Sequence, residues 1–291
     1  MPIENKTCSF DRQLLQQFGL ASQRAARRGG QVLMEMLGQA ESWQKGPGDW
    51  VTQADFESQQ LIRRELLQEF PDHDFLGEEL DEEISVSDKS QPADFCWIVD
   101  PLDGTTNFVH QLRSFSVSVG LLYRNPRDGT EQLLAGTVFD PTTNECFSAI
   151  VGQGATLNDG PIRVSQCTTL SKALTVHSMN SRVQRQDPQI TRLLNVMATA
   201  ATVRRLGSAA LNLCFVACGR MDAYWATNLS AWDVAAGWLI ASEAGAVVAD
   251  FDNQPLQLMH PKFCCAATPH LFAEMQPLLV VNPLECYHRQ G

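Results

Sequence analysis

The chain has no CxxC pair and no Cys/His run at metal-ligand spacing, although it holds nine cysteines in 291 residues. Cys264 and Cys265 are adjacent, which suits neither a zinc ligand pair nor an ordinary disulfide. An odd count without framework spacing points to a reducing compartment and to thiols used as small buried apolar groups. No apolar stretch approaches the roughly 18–20 residues needed to cross a bilayer. The opening MPIENKTCSF lacks the basic and apolar architecture of a signal segment, so a cytoplasmic location is expected. Positive charge is also scarce: Lys and Arg total 22 against 33 for Asp and Glu, a formal net charge of −11. Such a surface repels nucleic acid and anionic lipid, and neither is expected as a partner. There is no low-complexity tract and no internal repeat.

What is present reads as a globular protein long enough to bury a substantial core. Apolar periodicity predicts helices over 11–37 and 54–70, the second stopped by Pro71. Lys45-Gly46-Pro47-Gly48-Asp49 between them reads as a loop. Asp74-Phe75-Leu76-Gly77-Glu78-Glu79 reads as a short strand running into an acidic turn, within an acidic stretch that includes Asp81, Glu82 and Glu83, and the segment to Ala93 is polar. Alternation over 115–121 predicts a half-buried strand, and 133–140 and 145–151 follow in hairpin order. Small strands fill 152–164. Beyond about 170, strands at 173–177, 203–206, 221–224, 246–249 and 264–267 alternate with helices at 188–198, 208–218 and 231–244 and a closing helix. This order predicts a mixed, layered α/β architecture. The absence of a linker predicts one domain over 1–291, with sub-regions of about 1–170 and 171–291.

The most informative stretch is WIVDPLDGTTNFVH, residues 97–110. An apolar run delivers Asp100 and Asp103 into a turn marked by Pro101 and Gly104, followed by Thr105 and Thr106. Two carboxylates three residues apart, with no basic partner nearby in sequence, repel each other. Buried and unpaired they would cost several kcal/mol. A divalent cation removes that cost, and hard oxygen ligands indicate Mg²⁺ or Mn²⁺ rather than zinc. Asp55, Glu78 and Asp233 also stand at element ends. Each has an ordinary alternative: Asp55 can cap a helix, Glu78 can belong to a solvated acidic stretch, and Asp103 can serve turn chemistry. Asp233 completes a capping box begun by Ser230.

Gly77-Glu78-Glu79, the central stretch, and Trp232-Asp233-Val234-Ala235-Ala236-Gly237 with Glu243-Ala244-Gly245 behind it resemble the inositol monophosphatase family of lithium-sensitive, Mg²⁺-dependent phosphatases. Val51-Thr52-Gln53-Ala54-Asp55 and Leu206-Gly207-Ser208-Ala209-Ala210 fit the same pattern, in the family's order. The resemblance implies a layered αβαβα sandwich. It implies that Glu78, Asp100 and the Leu102 carbonyl bind one metal, and that Asp100, Asp103 and Asp233 bind a second. Asp55 and Thr105 would orient a water and help hold a third, looser metal. The backbone of Gly104 and Thr105 would cradle phosphate, and Gly207, Ser208 and Ala209 would face the alcohol.

The implied activity is hydrolysis of a small phosphorylated alcohol by in-line attack of an activated water, with no phosphoenzyme. Family members that act on inositol phosphates usually carry a Glu about seven residues before the helix Asp, where it accepts hydrogen bonds from ring hydroxyls. Ala226 stands there in this chain, which weakens a preference for inositol phosphate. Histidinol phosphate, a sugar bisphosphate or a 3′-phosphonucleotide remain alternatives, as does a non-catalytic Mg²⁺ and phosphate-binding regulator. The spacing Asp100-Pro101-Leu102-Asp103-Gly104-Thr105 is one residue too long for the DxDGT of haloacid-dehalogenase-type phosphatases. A homodimer is a further expectation from the resemblance. Lys45, His110, His177 and His260 read as solvated or packing residues, and Trp232 and Trp238 as core.

Overall fold

The computed structural model describes residues 10–46, 49–79, 92–179 and 182–281. Pro47, Gly48, Asp81, Glu82, Glu83 and most of the polar segment before Ala93 lie outside these. Asp11 accepts from the Gln13 amide and starts α1 (Arg12–Met36), whose buried stripe includes Phe18, Ala25, Ala26 and Leu33. Thr52 caps α2 (Gln53–Glu69). Both helices cover one face of a seven-stranded sheet. Its strands are β3 (Asp74–Gly77), β4 (Phe95–Asp103), β5 (Ser116–Arg124), β6 (Glu131–Asp140), β7 (Glu145–Ile150), β8 (Ala155–Leu157) and β9 (Gly160–Pro161), side by side in chain order. A short helix, α3 (Thr105–Val109), follows β4 directly.

A second, five-stranded sheet consists of β10 (Leu174–Ser178), β11 (Thr202–Arg204), β12 (Ala223–Ala226), β13 (Val247–Ala249) and β14 (Phe263–Ala266), in the order β11-β10-β12-β14-β13. Two apolar helices, α5 (Ala209–Ala217) and α6 (Ala231–Glu243), are sandwiched between the sheets. Their all-round hydrophobic sequence is what burial on both sides requires. On the outer face of the smaller sheet lie α4 (Pro188–Met197) and α7 (Pro269–Leu279). Three apolar clusters fill the four interfaces between layers, one of them spanning both sides of the α5–α6 layer. The layers therefore run α, β, α, β, α, the sandwich that the resemblance implies.

Two local readings change. The loop read at 45–49 is in part strand: β1 (Ser42–Gly46) and β2 (Asp49–Thr52) pair antiparallel, apart from the two larger sheets. β1 is exposed along almost its whole length, so it carries no inward-facing pattern to read. β5, expected to be half-buried, is buried on both faces from Ser116 to Leu122. Its small polar positions face a helix rather than water. Gly120 pairs with Gly136 of β6 in the ladder. A Cβ on Gly120 would lie 3.0 Å from Ala235 Cβ, and one on Gly136 would lie 2.9 Å from Ala236 Cα. The paired glycines let α6 settle against the sheet at its closest approach, a few residues from Asp233.

Candidate active site

Residues three apart on a regular strand project to opposite faces. β4 departs from that rule between its two carboxylates. Asp100 lies across from Ser118 and Asp103 across from Ser116, so three steps on β4 match two on β5. The extra residue makes a bulge, and Pro101, which has no amide hydrogen to leave unpaired, sits within it. The bulge brings both carboxylates to one side. There they meet Asp233, and one oxygen from each of the three lies within 4.8 Å of the others.

Each carboxylate is held from behind. Asp103 accepts from Ala209 N at 3.0 Å through Oδ1, and from Ala210 N at 2.7 Å and the Ser208 hydroxyl through Oδ2. Ser116 Oγ adds a longer contact at 3.4 Å. Asp103 thus sits on the N-terminus of α5, where amide hydrogens and the helix dipole favour negative charge. Asp233 reaches back to accept from Ser230 N at 2.6 Å, closing a capping box at the start of α6. Asp55 does the same for α2, taking Thr52 N at 2.8 Å and Thr52 Oγ1 at 2.6 Å through Oδ2. Its Oδ1 faces Thr105 Oγ1 at 3.4 Å, and that hydroxyl also lies 3.0 Å from the Leu102 carbonyl. Asp233 combines capping with convergence on the cluster, and Asp55 combines capping through Oδ2 with the Thr105 contact through Oδ1.

Glu78 follows β3, and its amide donates to Val99 O at 3.3 Å. Its neighbour Glu79 is buried and pairs with Lys45 Nζ of the β1–β2 hairpin at 2.5 Å. Lys45 is therefore engaged with the site's edge, beyond the solvated role expected of it.

So many buried acids in one place leave a clear electrostatic signature. Burial raises the Asp55 carboxyl to about 7, with Glu79 adding to the rise and the Thr52 hydroxyl opposing it. Burial and the charge of Asp103 raise Asp233 to about 7. Glu78 and Asp100 are pushed well above the usual carboxylate range by burial first. The charge of Asp233 then adds to the rise at Glu78, and that of Glu78 at Asp100. Asp103 is raised by burial against the pull of its Ser208, Ala209, Ala210 and Ser116 donors. A cluster that resists ionisation in this way has room for external positive charge. Its donors are carboxylate oxygens without His or Cys among them, which fits a hard divalent cation.

Gly104 caps α3 with φ +99°, a conformation that favours glycine, and a Cβ there would meet Ser114 O at 3.1 Å. Asn107 Nδ2 of α3 donates to Leu206 O at 2.8 Å, tying this turn to the segment entering α5. Gly207 lies in that segment, while Ser208 is fully buried and Ala209 nearly so, both turned to Asp103. Ser116, Ala210 and Glu79 are participants that sequence reading does not single out. Their partners lie 13, 107 and 34 positions away in the chain, beyond any local spacing signal. His177 is buried and stacked on Trp225, with its imidazole held down to about 4 by burial, and His110 packs edge-on to Trp50. Neither points to acid–base work. Ala226 is fully buried at the end of β12.

Known proteins share the sequence and the fold. An inositol-1-monophosphatase of Mesorhizobium japonicum is 40% identical over 233 residues, covering 79% of this chain and 84% of the relative. Nus factor SuhB of Pasteurella multocida is 35% identical over 263 residues, 88% of this chain and 94% of the relative. The solved structure of inositol monophosphatase from Anabaena superposes with a TM-score of 0.79 at 33% identity, covering 94% of this chain and all of that one. The model of the inositol monophosphatase family matches residues 14–280. With its acidic cluster, its layered fold and these matches in agreement, the chain belongs to the inositol monophosphatase family.

Proposed function

We propose that the chain is a Mg²⁺-dependent phosphatase that releases inorganic phosphate from the monoester of a small alcohol. The observation that carries this reading is the convergence of Asp100, Asp103 and Asp233 to within 4.8 Å, beside Glu78 and with Asp55 and Thr105 in contact. Glu78, Asp100, the Leu102 carbonyl, Asp103 and Asp233 would hold the metal. When bound, Mg²⁺ supplies a lowered pKa for water and charge compensation for the phosphoryl group and leaving alkoxide.

The chain's own groups do the remaining work. Ionised Asp55 accepts the Thr105 hydroxyl hydrogen, which turns a Thr105 lone pair outward to receive and orient a water. Ser208 and the α5 amides keep Asp103 ionised and immobile, so its free lone pairs stay aimed at the cluster. The backbone of Gly104 and Thr105 contacts the phosphate, and Gly207 lies beside it on the alcohol side. A single catalytic domain with sub-regions of about 1–170 and 171–291, assembled as a homodimer, is part of this proposal; sedimentation velocity tests the dimer. No helix among the described residues is long and apolar enough to cross a membrane.

The name of the Pasteurella relative, a Nus factor, keeps a regulatory reading in view. Binding alone has no need of the Thr105–Asp55 contact, which favours catalysis. Phosphate release from β-glycerophosphate with Mg²⁺ tests the proposal: turnover that saturates with Mg²⁺ supports it, and its absence leaves the regulator.

A further inference from the structure

Two adjacent polar residues of α2, Ser58 and Gln59, are buried, with 0% and 2% exposure. A buried polar side chain requires a partner, and each finds one in a segment that presents a carboxylate of the cluster. Gln59 Oε1 accepts from Glu79 N at 3.0 Å. Ser58 Oγ donates to Pro101 O at 3.2 Å, 43 positions along the chain. Both contacts leave from one helix, and that helix also carries Asp55.

Gln59 completes the hold on Glu78. The β3–β4 ladder ends at the Gly77–Val99 pair, and Glu78 N donates to Val99 O at 3.3 Å. One residue later the Glu79 amide has left the sheet, and Gln59 receives it. The peptides on both sides of Glu78 Cα are therefore fixed, one to β4 and one to α2. With both planes fixed, the direction of the Cα–Cβ bond is fixed as well. Gly77 makes the approach possible, because a Cβ there would collide with the Gln59 side-chain amide. Ser58 works in the same way at the bulge. The peptide joining Pro101 to Leu102 has its oxygen held by Ser58, and its N–H donates to Asp100 Oδ1 at 3.0 Å. α2 thus ties Glu78 and Asp100 to a single helix, where β3 ends and β4 bulges.

We infer that Gln59 is a positioning residue: by holding the peptide after Glu78 it fixes the aim of that carboxylate and makes the cluster prefer Mg²⁺ to the larger Ca²⁺. Mg²⁺ takes oxygens at about 2.0–2.1 Å in a near-ideal octahedron, whereas Ca²⁺ takes them at about 2.3–2.6 Å in flexible geometry. A carboxylate free to drift gives up the first ion more readily than the second. The inference rests on the metal-binding reading above and deepens it with a residue that acts only through another.

Isothermal titration calorimetry of the EDTA-stripped full chain with MgCl₂ and with CaCl₂ tests it, read as the ratio of the two Kd values. Gln59→Met matches the side chain in length and removes the acceptor. Gln59→Asn draws the amide back by one methylene and stands in where Gln59→Met does not fold. Either is expected to weaken Mg²⁺ binding roughly tenfold, the range for outer partners of metal ligands, and Ca²⁺ binding by about threefold or less. Gln59→Glu keeps an acceptor oxygen at the same reach, and its Kd ratio is expected to stay near that of the wild type. Its added charge attracts both cations alike, so the ratio reports geometry. A purely structural role lowers the Tm of the metal-free chain and leaves the ratio unchanged, and that result overturns the inference. A ratio shifted as far in Gln59→Glu as in Gln59→Met overturns it too. If the wild type binds neither cation, the metal-binding reading itself fails and the inference falls with it.

Discussion

Ser208 donates its hydroxyl hydrogen to Asp103, 105 positions earlier in the chain, and is itself the N-cap of α5. One side chain therefore starts a helix and steadies a carboxylate of the cluster. Removing the hydroxyl takes a donor from ionised Asp103 and raises its pKa further. Ser208→Ala is expected to weaken Mg²⁺ half-saturation roughly tenfold and to move the acid limb of the kcat profile to higher pH. A Mg²⁺ titration of phosphate release at several pH values checks both.

The cluster also sets how the metal-free chain responds to pH. Asp55 and Asp233 titrate near 7 in the fold, against about 3.9 for an unfolded Asp. The folded state thus binds more protons between about pH 4 and 7, so stability falls as pH rises through that window. In EDTA, Tm is expected to drop from pH 5 to pH 7.5 by more than surface titration explains. Mg²⁺ is expected to restore most of the loss at pH 7.5 and to change little at pH 5, as differential scanning calorimetry would record.

The Gly120–Gly136 pair makes a mechanical prediction. A side chain at Gly136 collides with the backbone of α6 at Ala236, three residues past Asp233. Gly136→Val is expected to cost about 1–3 kcal/mol, as overpacking does. Because α6 carries Asp233, the Mg²⁺ half-saturation point is expected to rise with it. A fall in Tm with unchanged metal response would separate helix seating from the site.

Thr105 offers a test of orientation. Thr105→Ala is expected to lower kcat by about a hundredfold, in the range of general catalysis by one positioned group, with little change in Mg²⁺ half-saturation. Thr105→Ser, which keeps the hydroxyl, is expected to recover most of the rate. Equal rates in Thr105→Ala and wild type would remove the Asp55–Thr105 contact from the mechanism.

Much of this architecture was legible before any coordinates. Helix periodicity and caps located α1, α2, α4 and α6, because amphipathic or capped helices advertise themselves locally. Asp55 and Asp233 read as caps or as site residues; the structure shows both capping their helices, and Asp233 also meeting Asp100 and Asp103. β5 misleads because Ser116, Ser118 and Gly120 look solvent-facing, whereas Ser118 and Gly120 lie against α6 and Ser116 against Asp103 and Ser208. The β1–β2 pairing is not legible because exposed β1 lacks an inward pattern. The donors to Asp103 were illegible for another reason: Ser116, Ser208 and Ala210 meet it only through the packing of α5 against the sheet.

Phosphate release from β-glycerophosphate, titrated with Mg²⁺ for wild type and Asp100→Asn side by side, tests the central claim most directly. The carboxylate cluster predicts saturable Mg²⁺-dependent turnover in the wild type and a loss of roughly a thousandfold or more in the variant, with circular dichroism unchanged. Turnover in folded Asp100→Asn near that of the wild type at saturating Mg²⁺ would contradict it.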